Sequence, residues 1–309
     1  MAAQISVVTP CFNAAPYIAE TVESVQRQTW CAVEHIVVDD GSTDGSREIL
    51  SELASVQNNL RIVLGDHVGP SIARNIGIEQ ATGEFIAFLD ADDWWDPRCL
   101  EALVTALQGS GASLAYCGWQ NSGLEGARGE PFVPPDYADV DRVELLLGGN
   151  RWPIHAALTR THVVRAAGGF DKDLTSCMDY DLWLRIGSTH DVTLVPEVLA
   201  YYRHHQGEQI TKNRARGAIN HWKVQQKFLE AHPDVAQRLG RRVVRDLTLG
   251  ELMRRGFQAY WARDLVSART IFRSVMAAGY GALSYWKYML PSYLPLGVHR
   301  ALVKVLGRH

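Results

Sequence analysis

The sequence predicts an α/β fold built on a mostly parallel sheet flanked by helices, with a helical extension behind it. Three observations carry this. Short β-branched runs alternate with stretches of helical period from Ile5 to Tyr202, the pattern of strand-helix-strand crossovers. The run Phe85-Ile86-Ala87-Phe88-Leu89 is continuously apolar rather than alternating, as in a strand covered on both faces. Past Thr211 the pattern turns helical to the end.

Taken in order, Ile5-Ser6-Val7-Val8-Thr9 is a strand stopped at Pro10. Asn13-Ala14-Ala15-Pro16 forms a loop, and Ile18, Val22 and Val25 mark one face of a helix. Val33 to Val38 is a second strand, closed by Asp39-Asp40-Gly41-Ser42-Thr43-Asp44-Gly45, whose Gly, Ser and Asp content marks a tight turn into the helix of Ile49 and Leu53. Leu60 to Leu64 is a third strand. A loop from Gly65 to Pro70 leads to Ser71, read as a helix N-cap, and to a helix with Ile72, Ile76 and Ile78 on its apolar side that stops near Gly83. After the Phe85 strand come a helix through Leu100, Leu103 and Leu107 and the run Leu114-Ala115-Tyr116-Cys117. Asn121 to Asn150 is rich in Gly, Pro and acids without a clear period, and reads as a variable loop region. Order returns at Pro153 to Leu158, a helix from Thr161 to Ala167, a helix opened by Asp179, and a final strand or two from Val192 to Tyr202.

The Phe85 strand ends in Asp90, Asp92 and Asp93, at the edge where ligands of open α/β sheets bind. Three acids so close repel one another unless a cation or a set of donors neutralises them. Hard divalent ions are held by one or two carboxylates plus substrate phosphate oxygens, so Asp90 and Asp92 are candidate ligands of Mg2+ or Mn2+. Asp93 or Asp96 is expected to cap the helix beginning near Pro97.

Composition bounds the function. With 309 residues, 47% hydrophobic and 21% charged, the chain suits one large domain and a smaller appendage. A net charge of -3 gives no support to nucleic-acid binding by the whole molecule. Five cysteines without a CxxC pair read as reduced thiols of a cytosolic protein. No basic region followed by a long apolar core follows Met1, so no signal peptide is expected, and no run of 18 apolar residues reads as a membrane span.

Five motifs in order resemble family 2 of the glycosyltransferases: Val7-Val8-Thr9-Pro10-Cys11-Phe12-Asn13, Val37-Val38-Asp39-Asp40-Gly41-Ser42-Thr43-Asp44, Ala73-Arg74-Asn75-Ile76-Gly77, Asp90-Ala91-Asp92 and Met178-Asp179-Tyr180-Asp181-Leu182-Trp183. The resemblance covers residues 4–211 and implies a GT-A fold, a Rossmann-like sheet. It places the catalytic domain at 1–212, with a nucleotide-binding half to about 118 and an acceptor half after it, and the helical extension at 213–309. It implies transfer of a sugar from a nucleotide-diphosphate donor, expected to be a UDP-sugar, to an acceptor hydroxyl with inversion, in polysaccharide or glycolipid biosynthesis.

By the same resemblance Pro10, Phe12 and Asn13 bind the donor, with the Phe12 ring against its base; a core aromatic is the structural alternative. Asp40 matches a carboxylate that accepts from the uracil ring, and with Asp39 beside it one acid can serve the base and one the Gly41-Ser42 turn. Arg74 matches a cation near the diphosphate. Asp90-Ala91-Asp92 corresponds to the DxD motif, with Asp92 on the metal and Asp90 nearer the ribose or a metal-bound water. In Arg203-His204-His205, which resembles an Arg-x-His element, His205 reaches the metal or diphosphate; a structural histidine is the alternative. Asp179 aligns with the general base that takes the acceptor's proton. Met178 stands where many members carry a second acid, which removes a like charge that would raise the Asp179 pKa, and Asp181 is the fallback base. Trp152 and the loop before it are expected to face the acceptor.

Two rivals remain at this stage. A sugar-phosphate nucleotidyltransferase would carry a Gly-rich loop after the first strand, and Pro10-Cys11-Phe12-Asn13 is not one. A non-catalytic nucleotide-sugar or carbohydrate-binding scaffold would keep the fold, though Asp40, Asp92, Asp179 and Arg203 together count against it.

Leu249 to Tyr280 has the spacing of a helical hairpin. From Leu265 to His309 there is no acidic residue, while Arg269, Arg273, Lys287, Arg300, Lys304 and Arg308 are basic. Aromatics and aliphatics interleave with these bases from Tyr285 to Leu306, a composition that fits a helix on an anionic membrane surface or, as the alternative, a helix packed on the catalytic domain with a solvated basic side. The expected location is cytoplasmic, peripheral on the inner face of a membrane and in contact with a lipid-linked or free sugar acceptor.

Overall fold

The computed structural model describes residues 4–123, 129–205 and 212–306. It forms two compact units, Met1–Arg142 with Asn150–Gly207, and Val143–Gly149 with Glu208–His309.

The first unit is a sheet with helices around it. Its parallel half comprises β1 (Ile5–Cys11), β2 (Val33–Asp39), β3 (Leu60–Leu64) and β4 (Phe85–Phe88), linked by α1 (Ile18–Gln26), α2 (Ser46–Val56) and α3 (Pro70–Gln80). There follow β5 (Trp94–Trp95), α4 (Cys99–Ser110), β6 (Leu114–Ser122), α5 (Arg142–Leu147), β7 (Ala157–Arg160), α6 (Thr161–Ala166), α7 (Met178–Gly187) and β8 (Val192–Arg203). The strand order is β3-β2-β1-β4-β7-β6-β8-β5. Pairings are parallel from β3 to β4 and between β6 and β8, and antiparallel at β4·β7, β6·β7 and β5·β8.

The central strands explain the continuous apolar runs. All four residues of β4 are buried, as are Ile5, Val7 and Val8 of β1, so both faces of these strands are covered. The helix α3 approaches β1 closely enough that a Cβ on Gly77 would lie 2.2 Å from Val8 Cγ1. Register then aligns the carboxyl ends. Cys11 pairs with Asp39 and Asp39 with Leu64, while Val8 pairs with Phe88, so the turns after β1, β2, β3 and β4 emerge on one edge.

Three expectations are corrected. The region from Asn121 to Asn150 is not all loop: β6 runs on to Ser122 and α5 occupies Arg142–Leu147. Strand β6 bulges at Gly118, where a Cβ would meet the Phe132 carbonyl at 2.7 Å, and that irregularity breaks the sequence period. Ser71 is not an N-cap; α3 starts at Pro70 after Gly69 at φ 92°, and the Ser71 hydroxyl donates to the Leu174 carbonyl at 3.2 Å. That helix stops at Gln80, short of Gly83. Trp94 and Trp95, just after the acid turn, make a short strand of their own against Tyr201 and Ala200.

Within the second unit lie α8 (Arg214–Ala231), α9 (Pro233–Arg245), a π-helical turn (Asp246–Gly250), α10 (Glu251–Trp261), α11 (Leu265–Ala277), α12 (Leu283–Met289), a 3-10 turn (Leu290–Tyr293) and α13 (Leu296–Leu306). Its core gathers Leu252, Ala259, Tyr260, Ala268, Ile271, Phe272, Val275, Met289 and Val303. The turn between α10 and α11 places Arg263 at φ 63° and caps α11 through Asp264, which accepts from Ser267 N at 3.1 Å. Among the described residues no helix is long and apolar enough to cross a membrane.

Candidate active site

The turns on the carboxyl edge are fastened to one another by their own polar groups. Asn13, at φ 50°, accepts from Thr43 N at 2.8 Å, and its own N–H donates to Ser42 Oγ at 3.0 Å. Asp39 and Asp40 divide their work. Asp39 accepts from Ser42 N at 3.3 Å and pairs with Arg47, so it ties the turn into α2. Asp40, itself buried, accepts from Val68 N at 2.7 Å and Gly69 N at 2.8 Å, so it fixes the loop that leads into α3. The Asp40 carboxylate, already accepting these two hydrogen bonds, keeps lone pairs for further donors. Phe12 is not a core aromatic: it is 45% exposed, and its ring lies 4.3 Å from that of His67.

The acid turn after β4 sorts its members by partner. Asp90 is ion-paired with Arg74, a buried residue of α3 whose guanidinium also contacts Met178 Sδ at 3.1 Å and lies 5.4 Å from the Phe170 ring centroid. Asp92 Oδ2 lies 3.1 Å from His205 Nε2. Burial and the neighbouring Asp90 push the Asp92 carboxyl above its ordinary value, and His205 opposes them. Ala91 is buried, its carbonyl 2.9 Å from the Thr21 hydroxyl.

Asp93 is no cap. It is fully buried, accepts from Arg203 N at 2.8 Å, and sets Oδ2 3.4 Å from His155 Nδ1. Burial drives the Asp93 carboxyl well above the usual range and the His155 imidazole down to about 4, so it disfavours the charged form of both partners. The helix turn is set by Asp96 instead, whose Oδ1 accepts from Arg98 N at 2.9 Å. Arg203 completes the lashing of β8 to this turn: Nε donates to the Asp92 carbonyl at 2.9 Å, a second nitrogen pairs with Glu20 at 2.6 Å, and the guanidinium sits 4.3 Å from the Trp94 ring centroid. This brings the chain's next residues, including His205, to Asp92.

Asp179 lies in the first turn of α7, after Cys177 at φ 60°. Its Oδ2 accepts from Asn150 Nδ2 at 2.8 Å. A helix N-terminus favours the anion, yet here burial dominates and raises the pKa, with Asp90 adding to it and the Tyr180 amide, Arg74 and Asn150 opposing. Met178 takes the position of an absent second acid and turns its sulfur to Arg74. Two expectations fail. Asp181 is buried in an ion pair with Arg185 at 2.6 Å, and Arg185 also holds the Gly169 carbonyl, so this acid is structural. Trp152 is buried, stacked 4.6 Å from Tyr116 and 6.2 Å from Tyr137, and presents no face to an acceptor.

A divalent cation fits these residues by donor chemistry. Asp92 and His205 offer an oxygen and a nitrogen that converge, and Asp90 adds negative charge beside them. Among the described residues no group of three or more His, Cys, Asp or Glu side chains would hold a metal alone, so a divalent ion here would need further oxygen ligands, such as phosphate. Sequence reasoning missed the Asp93–His155 pair and the Asn150 contact. Neither leaves a local signal, because each partner comes from a different element.

A sheet of this order with an acid turn at its carboxyl edge defines the GT-A class of α/β folds. Structural comparison agrees: S. aureus TarS 1–349, solved in complex with UDP-GlcNAc, superposes with a TM-score of 0.59 at 18% identity over 89% of this chain and 92% of that one. The mannosyltransferase PcManGT from Pyrobaculum calidifontis, solved with GDP-Man and Mn2+, gives 0.58 at 20% identity over 98% and 84%. Residues 6–157 match the model of glycosyl transferase family 2, which identifies that stretch as a domain of this family. Among curated relatives, TuaG of Bacillus subtilis (strain 168), whose name ascribes it to teichuronic acid biosynthesis, is 35% identical over 130 residues, 42% of this chain and 52% of TuaG. The glycosyltransferase YibD of Escherichia coli (strain K12) is 40% identical over 114 residues, 37% of this chain and 33% of YibD. A glycosyltransferase of Haemophilus influenzae is 30% identical over 214 residues, 65% of each chain. The chain thus spans about half of TuaG and a third of YibD.

Proposed function

We propose that this protein is an inverting, metal-dependent glycosyltransferase that moves a sugar from a UDP-sugar to an acceptor hydroxyl in polysaccharide or glycolipid assembly, working at the inner face of a membrane. One observation carries the reading: Asp179, its pKa raised by burial, stands within electrostatic reach of Arg74 and Asp90, on the edge that also bears the Asp92–His205 pair.

Each residue then has a task. Asp179, oriented by Asn150, takes the proton of the attacking hydroxyl, and its raised pKa makes it a stronger base than an exposed aspartate. Arg74 steadies Asp90 against the ribose side of the donor, and Phe12 offers its exposed ring to the base. Pro10, Asn13, Asp40 and Ala91 shape the walls around it. Mg2+ or Mn2+, bound by Asp92 and His205, would neutralise charge on the departing diphosphate. The nucleotide sugars and Mn2+ bound to TarS and PcManGT support the donor class and the cation, and the naming of TuaG supports a polymer product.

Incubation with α-linked UDP-sugars and a panel of saccharide acceptors tests this. Release of UDP with Mn2+ but not with EDTA, and a β-linked product, is expected. An α-linked product would refute inversion, and donor binding without UDP release would make the protein a scaffold.

A further inference from the structure

The two units carry opposite charge. Residues 208–309 hold 18 Lys and Arg against 6 Asp and Glu, a net +12, which leaves residues 1–207 with 13 against 28, a net -15. The positive half is also where apolar side chains face outward. Leu283, Trp286 and Leu290 fall at i, i+3 and i+7, one face of a helix, and all three are exposed, Leu283 to 82%. Met289, about a quarter turn round from this stripe, is fully buried in the core of the unit. Tyr293 and Leu294 extend the exposed run.

Helix α13 repeats the arrangement with three faces. His299 and Val303, four apart, point inward and are buried. Val298 and Leu302, also four apart, point outward, and Arg300 and Lys304 form a basic edge on the far side of the buried stripe. A surface helix with a single partner needs one apolar face; here there are two, and only one is covered by the core. No acidic residue occurs anywhere from Leu265 onward, so nothing in this segment would repel an anionic surface.

We propose that α12, the 3-10 turn and α13 form a bilayer-docking surface, with Leu283, Trp286, Leu290, Val298 and Leu302 entering the headgroup boundary and Lys287, Arg300 and Lys304 contacting anionic lipid headgroups. Apolar burial and headgroup attraction act together in such a surface, and the absence of a membrane-spanning helix among the described residues makes the contact peripheral. This deepens the membrane placement proposed above, and vesicle binding measured without donor keeps its failure separate from failure of the transferase reading.

The test is flotation of the full chain with phosphatidylcholine vesicles, with and without about one-third phosphatidylglycerol. Binding to the anionic vesicles, much weaker binding to the neutral ones, and release by high salt are expected. The variant Lys287→Glu/Arg300→Glu/Lys304→Glu, altered only at exposed positions, should bind on the order of a hundredfold more weakly. Leu283→Ser/Trp286→Ser/Leu290→Ser should lose binding with its circular dichroism unchanged. Equal binding to neutral vesicles, no binding at all, or wild-type binding by both variants would overturn the proposal. So would a dimer dispersed by the serine variant without vesicle binding, which would assign the apolar stripe to a second copy of the chain.

Discussion

Asp179 gathers opposing influences that the chain resolves by burial. Because its folded pKa is raised above the unfolded value, its protonated form contributes stability below the unfolded pKa, and that contribution is lost as pH rises through the folded pKa. The ionised carboxylate is therefore a cost to the fold. Asp179→Asn should melt higher than the wild type at neutral pH, bind UDP unchanged, and lose turnover by a factor of at least about 10². The wild-type pH-rate profile should rise through an acid limb displaced above the ordinary carboxylate range. Near-normal kcat in the variant would move the base elsewhere, and not to Asp181, which Arg185 holds. Asp90 and Asp92 stand out in the sequence as acids ending an apolar strand, and Asp179 only through its resemblance to a family motif. Asp93 was legible only as a helix cap, because its true partners, Arg203 N and His155, come from β8 and the segment before β7.

At the scale of elements, glycine shows how tightly the site's frame is packed. Gly77 in α3 and Gly109 in α4 look alike in sequence, each inside a helix. A Cβ at Gly77 would collide with the stiff, buried Val8 at 2.2 Å, whereas one at Gly109 meets nothing within 4 Å. Gly77→Ala should therefore destabilise by about 1–3 kcal/mol despite its better helix propensity, because overpacking exceeds that gain. Gly109→Ala should stabilise by roughly 0.5–1 kcal/mol. Urea denaturation measures both, and equal effects would contradict this account of how α3 seats Arg74 beside Asp90. The strands of the parallel half were readable because two covered faces demand unbroken apolar runs. The two-residue β5 and the short α5 were not, since one exists only by pairing with β8 and the other lies within Gly- and acid-rich sequence.

Over the whole molecule charge divides between the units: one is acidic and bears the carboxyl-edge acids, the other is basic and bears exposed apolar helices. The helical character of the second unit was plain from its period, whereas the outward direction of Leu283, Trp286 and Leu290 emerges only once the core is known to take Met289 and Val303. The central claim is that the acid turn binds a nucleoside diphosphate through a divalent cation. Calorimetric titration of UDP, GDP and dTDP, with Mn2+ and then with EDTA, into the wild type and Asp92→Ala tests it most directly. The account predicts Mn2+-dependent binding with UDP preferred, lost in the presence of EDTA and in the variant. Wild-type affinity retained in Asp92→Ala, or no binding of any of the three nucleotides, would contradict it.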